Sequence, residues 1–453
     1  MSVIVIILLS ISLIFTLAMK DKLEKRVCKL FNIYWILLMV FSVLMPYGGH
    51  KISDRTYLIF AVFAATISIG YVVGVMPKHK VYYTKQQAQD TDENIKKAFT
   101  CFVNSKFLLC FLLIVLLINI IYAYKYYSVI SVVGGVEARN LRFFVGELFR
   151  STYELLFFNY IITPVKYLAC FIIAMEIYFE IFKRLPTCLC FCIAALSSYI
   201  GGGRFELMYL LLCIILAFFM KSKVFTVGKH RTFEIRKSTL KSAFLIIVAC
   251  CGILFMSVYA TALRRNRSAL ESGEFKNNSQ ILLEQFSGYN LGGIGAFDVG
   301  LDSGLIKNQY YFGRASIFGG FEEIMQYITK YVGFSFTSVR TKIGIAFNDS
   351  IHVGNKDFNA LYTALSYFYQ DFGILGVAIL SYAFGFFVGR TLKNRRRSLF
   401  LMGVFFHAFY QYMILNLNWY FTSGDSLIYF LMLWLMTKKF RVNNEDESIK
   451  SNT

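Results

Sequence analysis

Charge is scarce in this 453-residue chain: Asp, Glu, Lys and Arg make up 16% of it, against 57% hydrophobic residues and a mean hydropathy of +0.55. No soluble core of this length hides so much apolar surface, which excludes a disordered chain and an ordinary α/β enzyme. Proline is rarer still, with 4 residues, so little stands in the way of long helices. The apolar stretches do not alternate in ten-residue pieces, which argues against a transmembrane β-barrel. The chain has 10 Cys, but none falls in a segment assigned below to the outside, so it is no disulfide scaffold. A Walker A motif is lacking, which excludes an ATP-driven transporter. The first apolar stretch lacks a basic lead-in and a small-residue cleavage site, and is expected to be a retained helix.

What is present is a series of apolar runs long enough, or nearly so, to cross ~30 Å of hydrocarbon. They lie at about 2–19, 30–47, 56–76, 107–124, 156–182, 187–203, 207–220, 242–261, 372–389, 398–417 and 426–436. Backbone polar groups in lipid need partners within their own segment, so these runs are expected to be helices. The predicted fold is an all-α polytopic membrane protein of about 11 transmembrane helices. Eight lie in 1–261, a large outside loop with interfacial helices spans 262–371, three helices fill 372–436, and 437–453 is a polar tail.

Of the 47 Lys and Arg, 29 sit in 20–29, 77–106, 183–186, 221–241, 390–397 and 437–453, all on one side of that arrangement. The positive-inside rule makes this side the cytoplasm, with the N-terminus outside and the C-terminus inside. The formal net charge of +20 is therefore an orientation signal, and no nucleic-acid partner is implied. The 77–106 segment is expected to be a polar loop. Its Asp90-Thr91-Asp92 has no nucleotide-binding domain around it, so no metal or cofactor site is assigned there.

A loop as long as 262–371 is expected to carry function. Within it, Phe321, Ile324, Met325, Ile328 and Tyr331 share one helical face with Glu322, Glu323 and Lys330 off it, the pattern of a helix lying in the interface. From Phe358 to Gln370, Leu361, Leu365 and Phe368 fall on one side. Asn359, Thr363, Ser366 and Gln370 fall on the other, where they are expected to face a cavity over the membrane. Arg204 follows Gly201-Gly202-Gly203 at the outside end of a span, with Phe205 and Glu206 leading into the next. Arg264 and Arg265 follow the eighth span, and Arg139 and Arg142 the fourth. Arginines on this side owe nothing to the positive-inside rule, and their donor forks match phosphate, so they point to an anionic ligand at the headgroup level. Lys166, Glu176, Glu180 and His407 are ionisable groups within spans, where such groups line a cavity or pair.

Three blocks resemble the Wzy-type oligosaccharide repeat unit polymerases of O-antigen and capsule synthesis. They are Ser197-Ser-Tyr-Ile-Gly-Gly-Gly-Arg204, Tyr310-Tyr-Phe-Gly-Arg314, and Phe358 to Gly376 with Asp371-Phe372-Gly373-x-x-Gly376 at its end. The resemblance implies a GT-C-like, metal-independent, inverting glycosyltransferase without cofactor in a bacterial inner membrane. Its partners would be undecaprenyl-diphosphate-linked oligosaccharides and membrane lipid, with a chain-length regulator and a flippase beside it. Arg204 and Arg264 would stabilise the leaving diphosphate, with Arg265 and Arg314 next. His352 and Asp371 are the candidates for the acceptor's proton, and Glu206, Asn359, Tyr362, Arg139, Arg142 and Lys166 for substrate binding. The related ligases carry a compact His-Asn motif, whereas His352 and Asn359 stand apart here. A lipid-linked oligosaccharide flippase and an O-antigen ligase or other GT-C enzyme remain the alternatives.

Overall fold

The computed structural model describes residues 22–76, 85–133, 146, 148–181, 183–201, 205–221, 288–347, 351–358 and 363–440. They form an all-α membrane protein in which six helices are long and apolar enough to span a bilayer. The helices are α1 (Lys22–Leu44), α2 (Asp54–Val75), α3 (Lys85–Val103), α4 (Lys106–Val133), α5 (Thr152–Phe157), α6 (Val165–Phe179), α7 (Arg184–Gly201) and α8 (Phe205–Lys221). They continue with α9 (288–302), α10 (Gly319–Tyr331), α11 (Val339–Ala346), α12 (Ala364–Asn394), α13 (Leu399–Met413) and α14 (Gly424–Thr437). Among the described residues one hairpin, β1 (Ile351–Val353) with β2 (Lys356–Phe358), precedes α12. Nine of the eleven expected spans fall on these helices, while 2–19 and 242–261 lie outside the described residues.

The chain clusters into two compact units that interleave along the sequence. The first draws on Met1–Tyr83, Leu283–Arg395 and His407–Leu427, and the second on Thr84–Leu282, Arg396–Phe406 and Ile428–Thr453.

The first unit is built on α2 and α12, which meet backbone to backbone. A Cβ added to Gly70 would strike the Tyr382 carbonyl, and one on Gly74 the Phe386 carbonyl. From the other side, a Cβ on Gly385 would strike the Ile67 carbonyl and one on Gly389 the Tyr71 carbonyl. Two Gly-x-x-x-Gly stripes thus face each other. Between lipid-solvated helices, where no hydrophobic drive favours contact, such close approach supplies the dispersion and weak polar contacts that hold the pair. Around this seam Phe31 stacks on Tyr412 with centroids 4.0 Å apart, and Trp35 packs on Phe63 at 4.9 Å.

In the second unit, Pro164 has a structural consequence. It has no N–H to donate, and the turn before it widens into a π-helix over Phe158–Ile162, closed by Thr163 N–H to Phe158 O at 2.8 Å. The span Thr152–Phe179 is therefore one apolar run of two helices joined by a bulge. Glu180 ends α6 in the left-handed region (φ 57°), with the Lys221 ammonium 2.6 Å from its carboxylate.

The segment 77–106 corrects an expectation: most of it is the helix α3, not a loop. It buries Ile95, Phe99, Phe102 and Val103 on one face, and Asp92 on it pairs with Arg396 at 2.8 Å. Apolar residues spaced by three and four among polar ones mark an amphipathic helix, which a hydropathy average conceals.

Candidate functional site

The site is built in the first unit around a break in α12. Phe372 (φ −148°, ψ 20°) and Gly373 (φ 63°, ψ −146°) leave the helical region, so Ala364–Asp371 forms a short segment before the long run of the span. Only glycine adopts the Gly373 conformation without strain, and a Cβ there would also crowd Asn308 at 3.1 Å. The break receives the loop 308–318. Gln309 N–H donates to the Gln370 carbonyl at 3.1 Å, and Phe312 packs edge-on to Phe372 at 5.9 Å.

Asp371 holds that loop in place. Its side chain is 0% exposed, with Oδ1 accepting the Ala315 N–H at 3.1 Å and Oδ2 the Ser316 N–H at 2.9 Å and the Ser316 hydroxyl. This corrects the reading of Asp371 as a base, because its carboxylate is enclosed and takes donors at both oxygens. It also differs from a cap of its own helix, since the donors lie 55 and 56 residues earlier. Ser316 in turn offers its carbonyl to Trp419 Nε1 at 2.6 Å and Thr422 Oγ1 at 2.5 Å.

Arg314 stands on the clamped turn and pairs with Glu322 on α10. Its guanidinium is half exposed. The polar face of α10 is turned into the protein, where it caps two helix N-termini. Glu322 accepts the Val339 N–H of α11 at 3.0 Å, and Glu323 accepts the Gly424 N–H of α14 at 2.9 Å. Glu323 also lies 3.7 Å from Arg340, a buried cation that donates to the Trp419 carbonyl and stacks 5.2 Å over the Tyr367 ring. Arg340 Nη1 has no hydrogen-bond partner among the described residues. The opposite face of α10 is apolar and open, with Phe321 60% and Ile328 50% exposed.

The segment before the break corrects a second expectation. Thr363, Ser366 and Gln370 are buried along with Leu365 and Phe368, so this stretch is enclosed on all sides and its polar groups face no open cavity. Ser366 Oγ donates to the Thr363 carbonyl at 2.8 Å.

His352 is set apart from this cluster. Its side chain is 84% exposed on the hairpin, opposite Asp357, with Nδ1 2.5 Å from that carboxylate. Such an exposed pair is screened by water and does not form a desolvated reaction site. Lys166 belongs to the second unit, its ammonium 5.0 Å over the Tyr167 ring. Arg204, Arg264, Arg265, Arg139, Arg142, Asn359 and Tyr362 lie outside the described residues, as does the side chain of Glu206.

Two groups were missed by sequence reasoning. Arg340 and Glu323 carry no motif, although acids on the far side of an apolar helix face imply cations to meet them. His50, in the connection from α1 to α2, lies 2.8 Å from Asp298 of α9. A separation of 248 residues leaves that pair without any local signal. No family model, curated protein or solved structure matches the chain.

Proposed function

We propose that this protein is a GT-C-type membrane glycosyltransferase that polymerises polyprenyl-diphosphate-linked oligosaccharide repeat units. It acts at the outer face of a bacterial inner membrane, with the N-terminus outside and the C-terminus in the cytoplasm. The observation that carries this reading is the clamp by Asp371. It binds Ala315 and Ser316, the two residues after Tyr310–Arg314, to the block Phe358–Gly376, and Phe312 packs on Phe372 beside it, so the two blocks that resemble the polymerases in sequence lie together.

In the reaction the acceptor hydroxyl attacks the anomeric carbon of the growing chain, the carbon–oxygen bond to the diphosphate breaks, and the bond pair leaves with the phosphate oxygen. The developing negative charge needs fixed cations in a partly dry site. Arg204 and Arg264 are assigned that role, followed by Arg265 and Arg314. Arg314 is presented on a turn held from below, so its place is defined even though Glu322 shares its charge.

Removing the gene and resolving surface glycolipid on a gel tests the reading. Loss of polymerase activity leaves acceptor capped by a single repeat. A flippase defect leaves none, and a ligase defect leaves polymer on the carrier lipid only. Arg204→Ala and Arg264→Ala should each abolish the polymer ladder at normal protein levels, and Lys substitutions should restore it poorly, because an ammonium lacks the two-pronged fork. Normal ladders from both alanine variants would refute the assignment.

A further inference from the structure

The acceptor hydroxyl must lose a proton as it attacks, and neither residue first offered for that proton is placed to take it. Asp371 is enclosed with both oxygens filled, and His352 stands out on a water-exposed hairpin. The pair formed by His50 and Asp298 has the geometry these two lack.

Asp298 is 1% exposed on α9. It accepts His50 Nε2 at 2.8 Å, the Ser53 N–H at 3.0 Å and the Ser53 hydroxyl at 2.5 Å. Burial pushes this carboxyl up, but the hydrogen bonds from Ser53 and His50 outweigh it and hold the group below the usual carboxylate range. An ionised carboxylate facing Nε2 fixes the ring proton there and leaves Nδ1 as the acceptor. Nδ1 has no partner among the described residues, and the imidazole is 22% exposed. A buried carboxylate behind a partly open imidazole is the relation of orienting group to base. Asp298 already takes two donors from Ser53 at the start of α2, so closing that helix end does not require a histidine as well.

We propose that His50 is the general base of the polymerase reaction above, on which this inference rests, and that Asp298 is its positioning residue. The proton passes from the acceptor oxygen to Nδ1 as the new oxygen–carbon bond forms and the diphosphate departs. The resulting imidazolium is neutralised by Asp298 and returns its proton to water. Other ionisable groups near the pair on the surrounding elements are Tyr47 and Lys51 on the same connection, Asp54, Arg55 and Tyr57 on α2, Tyr289 and Asp302 on α9, and His352, Lys356 and Asp357 on the hairpin. All of these remain in the variants below, so a change in the pH profile belongs to the pair.

The experiment uses the full chain in proteoliposomes with an undecaprenyl-diphosphate-linked repeat unit. His50→Ala should lower kcat by about 10²–10³-fold with little change in KM, and abolish the acid limb of the kcat–pH profile. Imidazole in the buffer should restore part of the rate. Diethyl pyrocarbonate should modify His50 more slowly when the lipid-linked repeat is present, with His352 as the unprotected control. Wild-type polymer alongside an unprotected His50, or a His50→Ala variant with full rate or an unchanged pH profile without imidazole rescue, overturns the pair alone. A wild-type protein that makes no polymer overturns the polymerase reading and the general-base role with it.

Discussion

A buried carboxylate whose two oxygens both receive backbone N–H groups acts as a clamp, and the chemistry of an amide shows why Asp371 resists substitution. Asn in its place would turn an N–H toward an N–H and leave both buried donors without an acceptor, at a cost of about 1–3 kcal/mol for each. Asp371→Asn is therefore expected to lower the thermal midpoint in detergent and reduce polymer output only in proportion to the folded fraction. A residue that took the reacting proton would give the opposite result, with stability kept and rate lost. The motif Asp371-Phe372-Gly373-x-x-Gly376 made this position stand out in the sequence. Its partners Ala315 and Ser316 were not legible, because nothing in local spacing reveals a contact across 55 residues. The same limit hid His50 and Asp298, while His352 attracted attention only because it is the one histidine of a long loop.

Among the elements, the α2–α12 seam is the most demanding contact. Gly385→Leu would drive a side chain into the Ile67 carbonyl, which cannot move without breaking the helix that carries it. A loss of about 3 kcal/mol is expected, read as a reduced yield of folded protein on extraction. Gly344 on α11 makes a control, since a Cβ there meets nothing within 4 Å. Gly344→Ala should raise stability by roughly 0.5–1 kcal/mol, because it only removes freedom from the unfolded chain. Hydropathy located the helices well, since long apolar runs have no other solution in lipid. It did not locate α3, whose apolar residues occupy one face only, nor the burial of Thr363, Ser366 and Gln370, which depends on what packs around them. The two-sidedness of α10 was legible from its spacing: Phe321 and Ile328 stand exposed, while Glu322 and Glu323 bond within the protein.

For the whole molecule, the arrangement of charge makes a prediction about topology. With 29 of 47 basic residues on one side, a fluorescent protein fused after residue 440 should fold and fluoresce in the cytoplasm, and alkaline phosphatase fused there should stay inactive. Phosphatase inserted in the turn at 354–355 should be active, and reversed signals would overturn the orientation. The glycine seam also fixes a length at this scale. From Gly385 to the break at Gly373 is twelve residues, or about 18 Å at ~1.5 Å per residue. Because α2 and α12 cannot slide past each other without driving backbone into backbone, that distance behaves as a ruler: how far the Asp371 clamp, and Arg314 on the turn it holds, stand from the seam is set by four glycines.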